Sequence, residues 1–361
     1  MKRVAILLVA MACLGGGAAA PAASHPRVIS VMTRNLYIGG DLGPLVTATT
    51  PAEFAQAVQT ILTQIGASNF PERAAALADE IASRKPHLVG LQEVFRITLN
   101  GATAAPPFRD QLDDLLDALA ARGVEYEVAA QVRNLDVGIP TPMGLVRATD
   151  RDVVLARADV ETSPVHFDGC RASLDGCNYR AFVSLPSPLG PINIERGFAA
   201  IDARVDGQDL RFVNTHLEVP ELALVVQAAQ ATELIATLQA QAGVADRPVV
   251  IVGDINSAPE DRSVLINGEK IVPPYRQLKK VGYIDVWTLR PRPAPGFTCC
   301  QATDLLNPES QLFKRVDVIF SSTAPGEAAA RRTGAGEDDR TASGLWPSDH
   351  TGVVAKLRFD Y

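Results

Sequence analysis

Residues 248–256 read Pro-Val-Val-Ile-Val-Gly-Asp-Ile-Asn, and this stretch decides the fold class of the chain. A short run of β-branched residues that ends in a glycine is typical of a strand buried on both faces of a sheet. Asp254 and Asn256 follow at the carboxyl end of that strand, where open α/β sheets hold their functional groups. The stretch therefore predicts an α/β domain with a polar site at one edge.

Similar runs rich in Val, Ile and Leu predict further strands, at 27–32, 87–93, 125–130, 152–156, 199–205, 210–214, 315–321 and 352–359. Apolar residues at helical spacing predict helices, at 51–65, 71–83, 108–122 and 221–242. Because helices separate some strands and not others, we expect mixed sheets with helices outside. We expect loops at 290–311 and 324–343, and a single domain at 26–361, since the chain shows no repeat or linker.

Chemically active side chains concentrate at the ends of the predicted strands. Besides Asp254 and Asn256, six such side chains lie at or beside a strand end: Asn35, Glu93, His216, Asp317, Asp349 and His350. Two of the five histidines fall in this set. Asp317 lies inside an apolar strand, and buried aspartates are rare unless they are paired. The pattern indicates a functional site rather than scattered surface residues.

This set of side chains matches the needs of phosphoester hydrolysis. That reaction needs a hard cation to neutralise the phosphate, a positioned water, and donors for the developing charge. Carboxylate and amide oxygens suit Mg²⁺ or Mn²⁺, and Glu93, Asn35 and Asp349 provide them. His216 and His350 can act as acid, base or charge stabiliser near neutral pH.

Six motifs occur along the chain, namely Asn35, Gln92-Glu93, Asn214-Thr215-His216-Leu217, Gly253-Asp254-Ile255-Asn256, Arg315-Val316-Asp317 and Ser348-Asp349-His350. Their order resembles that of the endonuclease/exonuclease/phosphatase superfamily, from residue 27 to the C-terminus. That superfamily includes pancreatic-type deoxyribonucleases, abasic-site endonucleases, inositol-phosphate 5-phosphatases and bacterial neutral sphingomyelinases. Each motif alone occurs by chance, but six in order form a strong signal.

The resemblance implies a four-layer α/β sandwich, in which two mixed β-sheets pack face to face with helices outside. It implies that residues 26–361 form one catalytic domain. It also implies that Glu93 is the main metal ligand, assisted by Asn35 and Asp349. The cofactor would be Mg²⁺ or Mn²⁺.

The resemblance further implies the catalytic roles. His350 is similar to the catalytic histidine and pairs with Asp317. Asp254 is similar to the residue that orients or deprotonates the attacking water. Asn256 and His216 are similar to the residues that donate hydrogen bonds to phosphate oxygens. Interpretations of the family differ on whether His350 or Asp254 is the base, and both stay open. Arg196 lies where many members carry an Arg-Gly pair and is a candidate substrate contact.

The expected activity is that of a metal-dependent phosphodiesterase acting on a nucleic acid, a phospholipid or a small molecule. Tyr37 stands where abasic-site endonucleases carry an acid, and Asn-x-Tyr before Gly39-Gly40-Asp41 is more similar to secreted phosphodiesterases, sphingomyelinases included. The net charge of −7 and the lack of a basic run disfavour an extracellular nuclease. A non-catalytic binding protein on the same scaffold is the distant alternative.

The first residues are typical of an export signal. Lys2 and Arg3 precede an apolar run at 4–14 and small residues at 15–23, and Ala20-Pro21-Ala22 fits a small-x-small cleavage rule. We expect a signal peptide at 1–23, cleavage near Ala22, and a secreted or periplasmic protein, with lipid anchoring through Cys13 as the alternative. No later segment suggests a membrane span, and nothing indicates an obligate protein partner.

Four further cysteines form an even set, which in an exported protein predicts disulfides. A zinc site is the rival hypothesis, but neither pair has the CxxC spacing or two histidines nearby. Cys170 with Cys177 is the simplest pair because it closes a short loop. Cys299 with Cys300 would form a vicinal bridge, and cross-pairing stays open.

Overall fold

The computed structural model describes residues 28–241 and 247–359. One sheet has seven strands: β1 (Ile29–Asn35), β2 (Leu88–Gln92), β3 (Arg96–Leu99), β4 (Tyr126–Thr141), β5 (Gly144–Arg157), β18 (Glu327–Thr333) and β19 (Gly352–Arg358). They lie in the order β18-β19-β1-β2-β5-β3, with β4 beside β5. The sheet is mixed, because β1 and β2 are parallel and the other pairs are antiparallel.

The second sheet has eight strands: β6 (Glu161–Pro164), β7 (Arg171–Ser173), β8 (Gly176–Asn178), β11 (Gly197–Val205), β12 (Gln208–His216), β13 (Val249–Asp254), β16 (Ile284–Asp285) and β17 (Asp317–Ser321). Their order is β16-β17-β13-β12-β11-β8-β7, with β6 beside β11. β12 and β13 are parallel. Two ribbons complete the strands: β9 (Val183–Leu185) with β10 (Ile192–Ile194), and β14 (Val264–Ile266) with β15 (Glu269–Ile271).

The helices cover the outer faces of the two sheets. They are α1 (Gly43–Thr47), α2 (Pro51–Ala67), α3 (Phe70–Arg84), α4 (Gln111–Ala120), α5 (Pro220–Ala240) and α6 (Pro274–Lys280). α3 and α4 pack on the first sheet, and α5 and α6 pack on the second. A third core lies between the sheets and joins Val31 and Val154 to Phe212 and Val252. The predicted four-layer α/β sandwich is confirmed.

Local capping explains where two of the helices begin. The Thr50 side chain accepts a hydrogen bond from Glu53 N, and the Glu53 side chain accepts one from the Thr50 backbone, which fixes the start of α2. α4 begins at Gln111, three residues after the predicted start at 108. The cause is Asp110, whose side chain accepts from Leu112 N at 3.0 Å and caps the first turn.

The prediction of a loop at 324–343 was wrong, because β18 lies inside it. The sequence of this strand, Glu-Ala-Ala-Ala-Arg-Arg-Thr, has no apolar alternation. Only Ala330 and Thr333 of it are buried. The strand forms because it pairs with β19 at the edge of the first sheet. An edge strand with one exposed side needs no apolar pattern, and its charged side chains protect the edge from other chains.

α5 corrects a further expectation, since it is long and apolar enough to meet the criteria for a membrane span. It has 21 residues, and an 18-residue stretch of it reaches a mean hydropathy of 1.2. Ala231, Leu234 and Leu238 are buried, and they pack on the second sheet. Helices that bury one face in a protein core pass the same test, so α5 is weak evidence for a span.

The structure pairs Cys170 with Cys177 and Cys299 with Cys300. The first disulfide ties the start of the β7–β8 hairpin to its second strand. The predicted signal peptide at 1–23, with Cys13 in it, lies outside the described residues.

Hydrogen bonds join the two sheets where β2 faces β12 and β13. Asn214 of β12 is buried and donates from Nδ2 to Leu91 O at 2.8 Å and to Val153 O at 3.0 Å, both in the first sheet. Its Oδ1 accepts from Gln92 Nε2 at 2.6 Å. Gly90 makes room for this contact, because a Cβ there would lie 2.6 Å from Asn214 Oδ1.

We predict that Gly90→Ala destabilises the protein by about 1–3 kcal/mol, since the added methyl would overpack the contact between the sheets. The Cβ would also lie 2.5 Å from Val252 Cγ2. Gly138→Ala is the matched control, since its Cβ would meet only Leu145 Cδ1 at 3.4 Å. Urea unfolding of both variants checks the prediction, and equal midpoints for the two would contradict it.

Candidate active site

Strand register brings the predicted residues to one rim of the sandwich. In the first sheet Asn35 is paired with Gln92, and Glu93 follows directly. In the second sheet Asp254 is paired with His216 on one side and with Asp317 on the other. Both groups lie at the carboxyl ends of parallel strands, so the sheets contribute opposite sides of one site.

His350 and Asp317 form a buried pair. His350 Nδ1 lies 2.8 Å from Asp317 Oδ2, and His350 Nε2 lies 3.7 Å from Asp254 Oδ2. Burial disfavours the charged imidazole, but the carboxylates of Asp317, Asp349 and Asp254 outweigh it and raise the pKa of His350 well above 6.5. These carboxylates therefore favour the protonated, positively charged form of His350. Arg34 donates from Nη1 to the His350 carbonyl at 2.6 Å and fixes the backbone.

His216 lies in the opposite electrostatic environment. Its Nδ1 is 3.0 Å from Arg196 Nη1. A guanidinium can only donate, so Nδ1 accepts and the ring hydrogen is on Nε2. Burial, together with the charges of Arg196 and His350, lowers the pKa of His216 well below 6.5. His216 is thus a neutral donor whose Nε2 faces Asp254 Oδ2 at 3.8 Å.

Asn256 lies beside His216 in a strained backbone conformation. Its φ is 48°, in the left-handed region that asparagine tolerates better than most residues. Asn256 N donates to Asp254 Oδ1 at 2.9 Å, and Asn256 Nδ2 donates to Leu217 O at 2.9 Å. The same Nδ2 lies 3.3 Å from His216 Nε2 without a hydrogen bond between them, because in this tautomer both atoms are donors. The bonds to Asp254 and Leu217 hold the amide at the rim next to the histidine.

The three predicted metal ligands also come together. Asn35 Nδ2 donates to Glu93 Oε1 at 3.1 Å and to Asp254 Oδ2 at 3.3 Å. Ser348 Oγ lies 2.9 Å from Asn35 O and 3.3 Å from Asp349 Oδ1, which ties Asp349 to the same corner. Burial raises the pKa of Asp349 to about 6; the charge of His350 opposes the rise and that of Glu93 adds to it.

A sequence model of the Endonuclease/Exonuclease/phosphatase family matches residues 64–350. The chain belongs to this family. No match was found among the curated proteins. Among solved structures, the chain is similar to a family protein from Leptotrichia buccalis C-1013-b, with 15% identity, a TM-score of 0.55, and coverage of 92% of this chain and 100% of the other.

Two more solved structures from the same family share the fold. One is from Beutenbergia cavernae DSM 12333, with 19% identity, a TM-score of 0.52, and coverage of 92% of this chain and 72% of the other. The other is from Bacteroides thetaiotaomicron, with 16% identity, a TM-score of 0.51, and coverage of 93% and 100%. At these identities the likeness supports the fold alone.

Members of the endonuclease/exonuclease/phosphatase family are generally metal-dependent phosphoester hydrolases, and the corner of Glu93, Asn35 and Asp349 fits a divalent cation. Its donors are carboxylate and amide oxygens, the kind that hard cations take. The two carboxylates, of Glu93 and Asp349, are partly buried, and the charge of Glu93 raises the pKa of Asp349, so they repel each other and a cation would relieve that repulsion.

A second group lies close enough to hold a metal: Asp254, Asp317 and His350, with ligand atoms within 4.8 Å of one another. A cation is disfavoured there, because His350 Nδ1 is bonded to Asp317 and the surrounding carboxylates favour the protonated form of the ring. Cys299 and Cys300 also lie near His350, but their sulfurs are bonded to each other. Among the described residues, the oxygen-rich corner therefore suits a metal best.

A layer of buried acids that is absent from the sequence predictions lies behind His216. Asp152 Oδ1 lies 4.0 Å from His216 Nδ1, and Asp150 Oδ2 lies 4.0 Å from Arg196 Nη1. Glu218 Oε1 accepts from Arg196 Nη2 at 3.3 Å. Burial raises the pKa of Asp150 to about 7 and that of Asp152 well above its usual value. The spacing of two between these aspartates on β5 is the signal that predicts one shared face.

We predict that Arg196→Met moves the ring hydrogen of His216 from Nε2 to Nδ1 and raises its pKa. The variant removes the donor and the positive charge at Nδ1, and Asp152 Oδ1 remains 4.0 Å from Nδ1. Nitrogen-15 NMR of labelled histidine between pH 5 and 8 reports both quantities. The control is Arg204→Met, at an exposed position on β11.

The lowered pKa of His216 in the folded protein has a consequence for stability. Unfolded His216 binds a proton below its ordinary pKa of 6.5, whereas the folded residue stays neutral. Its contribution to stability is therefore complete above pH 6.5 and is lost as the pH falls towards the depressed pKa of the folded state.

An unchanged tautomer and pKa in Arg196→Met would rule out the assigned role of Arg196.

Proposed function

We propose that this protein is an exported phosphodiesterase that depends on a divalent metal. The observation that carries the proposal is the convergence on Asp254 Oδ2, which lies 3.3 Å from Asn35 Nδ2, 3.7 Å from His350 Nε2 and 3.8 Å from His216 Nε2. One carboxylate oxygen thus faces the metal corner, a cationic histidine and a neutral histidine. This arrangement provides a base, a positive charge and a donor around one phosphorus.

In the proposed reaction, Asp254 orients the attacking water and takes its proton while the water oxygen bonds to phosphorus. The bond from phosphorus to the leaving oxygen breaks, and that oxygen departs with its electron pair. His350 is less suited to be the base, because its Nδ1 is bonded to Asp317 and the nearby carboxylates raise its pKa and favour its protonated form. We therefore assign His350 to stabilising negative charge and to protonating the leaving oxygen.

The other side chains of the site would bind the metal ion and the phosphate. Glu93, Asn35 and Asp349 would hold Mg²⁺ or Mn²⁺, which when bound neutralises the phosphate and polarises its oxygens. His216 presents Nε2–H to a non-bridging oxygen, and Asn256 lies next to it. Arg196 is the candidate substrate contact, and it also keeps His216 neutral.

Hydrolysis of bis-p-nitrophenyl phosphate with Mg²⁺ or Mn²⁺ tests the chemistry. We expect His350→Ala and Asp254→Asn each to lower kcat by about 10²–10⁴-fold, because each removes a group that acts on a proton or charge in the transition state. EDTA should abolish the activity. His166→Ala is the control, since His166 is exposed and belongs to none of the six motifs. Full turnover in both site variants would refute the assignment.

Export is the second part of the proposal. The basic start, apolar run and small residues at 1–23 support it, and so does the disulfide between Cys170 and Cys177, which needs an oxidising compartment. A lipoprotein anchored through Cys13 is the alternative.

We predict that the protein recovered from outside the cytoplasm lacks residues 1–22 or 1–23. N-terminal sequencing and intact mass of the secreted or periplasmic fraction measure this. Cys13→Ala should leave both the mass and the location unchanged. A lipid-modified N-terminus at Cys13 would establish the anchored form, and an uncleaved cytoplasmic chain would contradict export.

A further inference from the structure

A groove of about 530 Å³ opens on the outer face of the first sheet, where β3, β5 and β4 lie side by side. Four arginines line it: Arg96, Arg133, Arg147 and Arg151. We call it the arginine groove. No basic run exists in the sequence, because these arginines come from three strands and meet only in the folded sheet.

Strand register explains why the four side chains share one face. Thr149 of β5 is paired with Arg96 on β3, and Arg151 is paired with Arg133 on β4. Arg147 lies two residues before Thr149, and alternate residues of a strand project from the same face. The groove is therefore a built feature of the sheet, with three adjacent strands contributing to its floor.

The acids in the groove do not cancel the arginines. Asp136 accepts from Arg147 Nε and Nη2 at 2.6 Å each, and it also lies 3.4 Å from Arg133 Nη1. Asp110 Oδ1 lies 2.5 Å from Arg151 Nη2, and Asp110 Oδ2 lies 3.6 Å from Arg96 Nε. Each carboxylate is thus shared by two guanidinium groups, and every guanidinium keeps unused donors.

The positive excess faces solvent. The side chains of Arg96, Arg133 and Arg147 are 50%, 48% and 58% exposed. Asp113 of α4 interacts electrostatically with Arg151 and Arg96. The four arginines still outnumber the three nearby acids, which are Asp110, Asp113 and Asp136. A positive groove stands out on a chain with a formal charge of −7.

The groove begins one residue away from the metal corner. Arg151 accepts at its carbonyl from Val94 N at 2.9 Å and donates from Nε to Val94 O at 3.3 Å, and Val94 follows Glu93. Arg151 also lies between Asp150 and Asp152, which project from the opposite face of β5 towards Arg196 and His216. A linear ligand at the site can therefore continue around the sheet end into the groove.

We propose that the arginine groove binds the sugar–phosphate backbone of a single nucleic-acid strand whose scissile phosphodiester occupies the candidate active site. This inference rests on the proposed phosphodiesterase function and names its substrate class. Guanidinium groups match phosphate oxygens two at a time. Residues two apart on a strand lie about 6.6 Å from each other, which is similar to the spacing of successive phosphates in an extended strand.

The lining favours a nucleic-acid backbone over a membrane surface. Thr98, Thr149 and Gln131 add donors of the type that contact phosphate and sugar. Leu174 is the one large apolar residue of the lining, whereas docking on a bilayer needs a broad apolar face beside the charges. Among the described residues, the lining has no aromatic ring to stack on a base, and contacts to phosphate and sugar carry no sequence information, so we expect binding without sequence preference.

Binding is measured in EDTA, by fluorescence anisotropy of a fluorescein-labelled thymidine oligonucleotide of about 16 nucleotides. The test variant is Arg96→Gln/Arg133→Gln/Arg147→Gln. Its control, Arg84→Gln/Arg204→Gln/Arg331→Gln, makes the same change in net charge at exposed positions outside the groove. Thermal melting by circular dichroism checks that each variant is folded.

The expected result is weaker binding by the groove variant, about tenfold or more at low salt, and a shallower salt dependence. Each lost phosphate contact on a single strand lowers the slope of log K against log salt by about 0.7, so three lost contacts lower it by about 2. The control variant should keep the affinity and slope of the wild type. Equal affinity and slope in the groove variant would overturn the proposal.

Asp136→Asn gives a readout that misfolding cannot imitate. It removes the carboxylate that Arg133 and Arg147 share, so we expect tighter binding and a steeper salt slope. Unchanged or weaker binding would count against the groove. If the wild type bound phosphatidylglycerol vesicles and did not bind the oligonucleotide, the proposal would be overturned, and the ligand of the arginine groove would be a membrane surface rather than a nucleic acid.

Failure of this inference is separable from failure of the proposed function. Wild-type hydrolysis of bis-p-nitrophenyl phosphate tests the catalytic site without a polymer. Hydrolysis without oligonucleotide binding overturns the groove alone. Oligonucleotide binding that depends on the groove, without hydrolysis, supports the groove and refutes the phosphodiesterase.

Discussion

The site depends on one interaction between the sheets, the hydrogen bonding of the buried Asn214 amide. Its three bonds join β12 to the backbone of Leu91 and Val153 and to the Gln92 side chain. Glu93 follows Gln92, and His216 lies two residues after Asn214, so this contact fixes the two halves of the site relative to each other. An unpaired buried amide would be costly, which makes the alignment of the sheets specific.

The two site histidines show how position sets charge. Three carboxylates surround His350 and hold it as a cation, whereas Arg196 and burial hold His216 neutral. The same residue type thereby supplies a positive charge on one side of Asp254 and a neutral donor on the other. Such an arrangement concentrates buried acids at one rim, and it is stable only where cations or shared protons balance them.

β5 joins the site to the surface through the alternation of its side chains. Asp150 and Asp152 project inward to Arg196 and His216, while Arg147 and Arg151 project outward into the groove. A strand buried on one face and exposed on the other can serve both purposes with neighbouring residues. The acidic net charge of the chain therefore says little about what its outer face can bind.

The sequence by itself determined the fold class and predicted the side chains that lie together at one rim, because buried strands have a clear apolar pattern and their polar ends are local features. The spacing of Gly253-Asp254-Ile255-Asn256 and Ser348-Asp349-His350 was enough to collect the residues that the rim brings together. Tertiary structure alone decided the charge of each histidine, the layer of Asp150 and Asp152, the edge strand β18 and the arginine groove. Each of these depends on which strands lie side by side, and pairing between residues far apart in the chain leaves no local pattern to read.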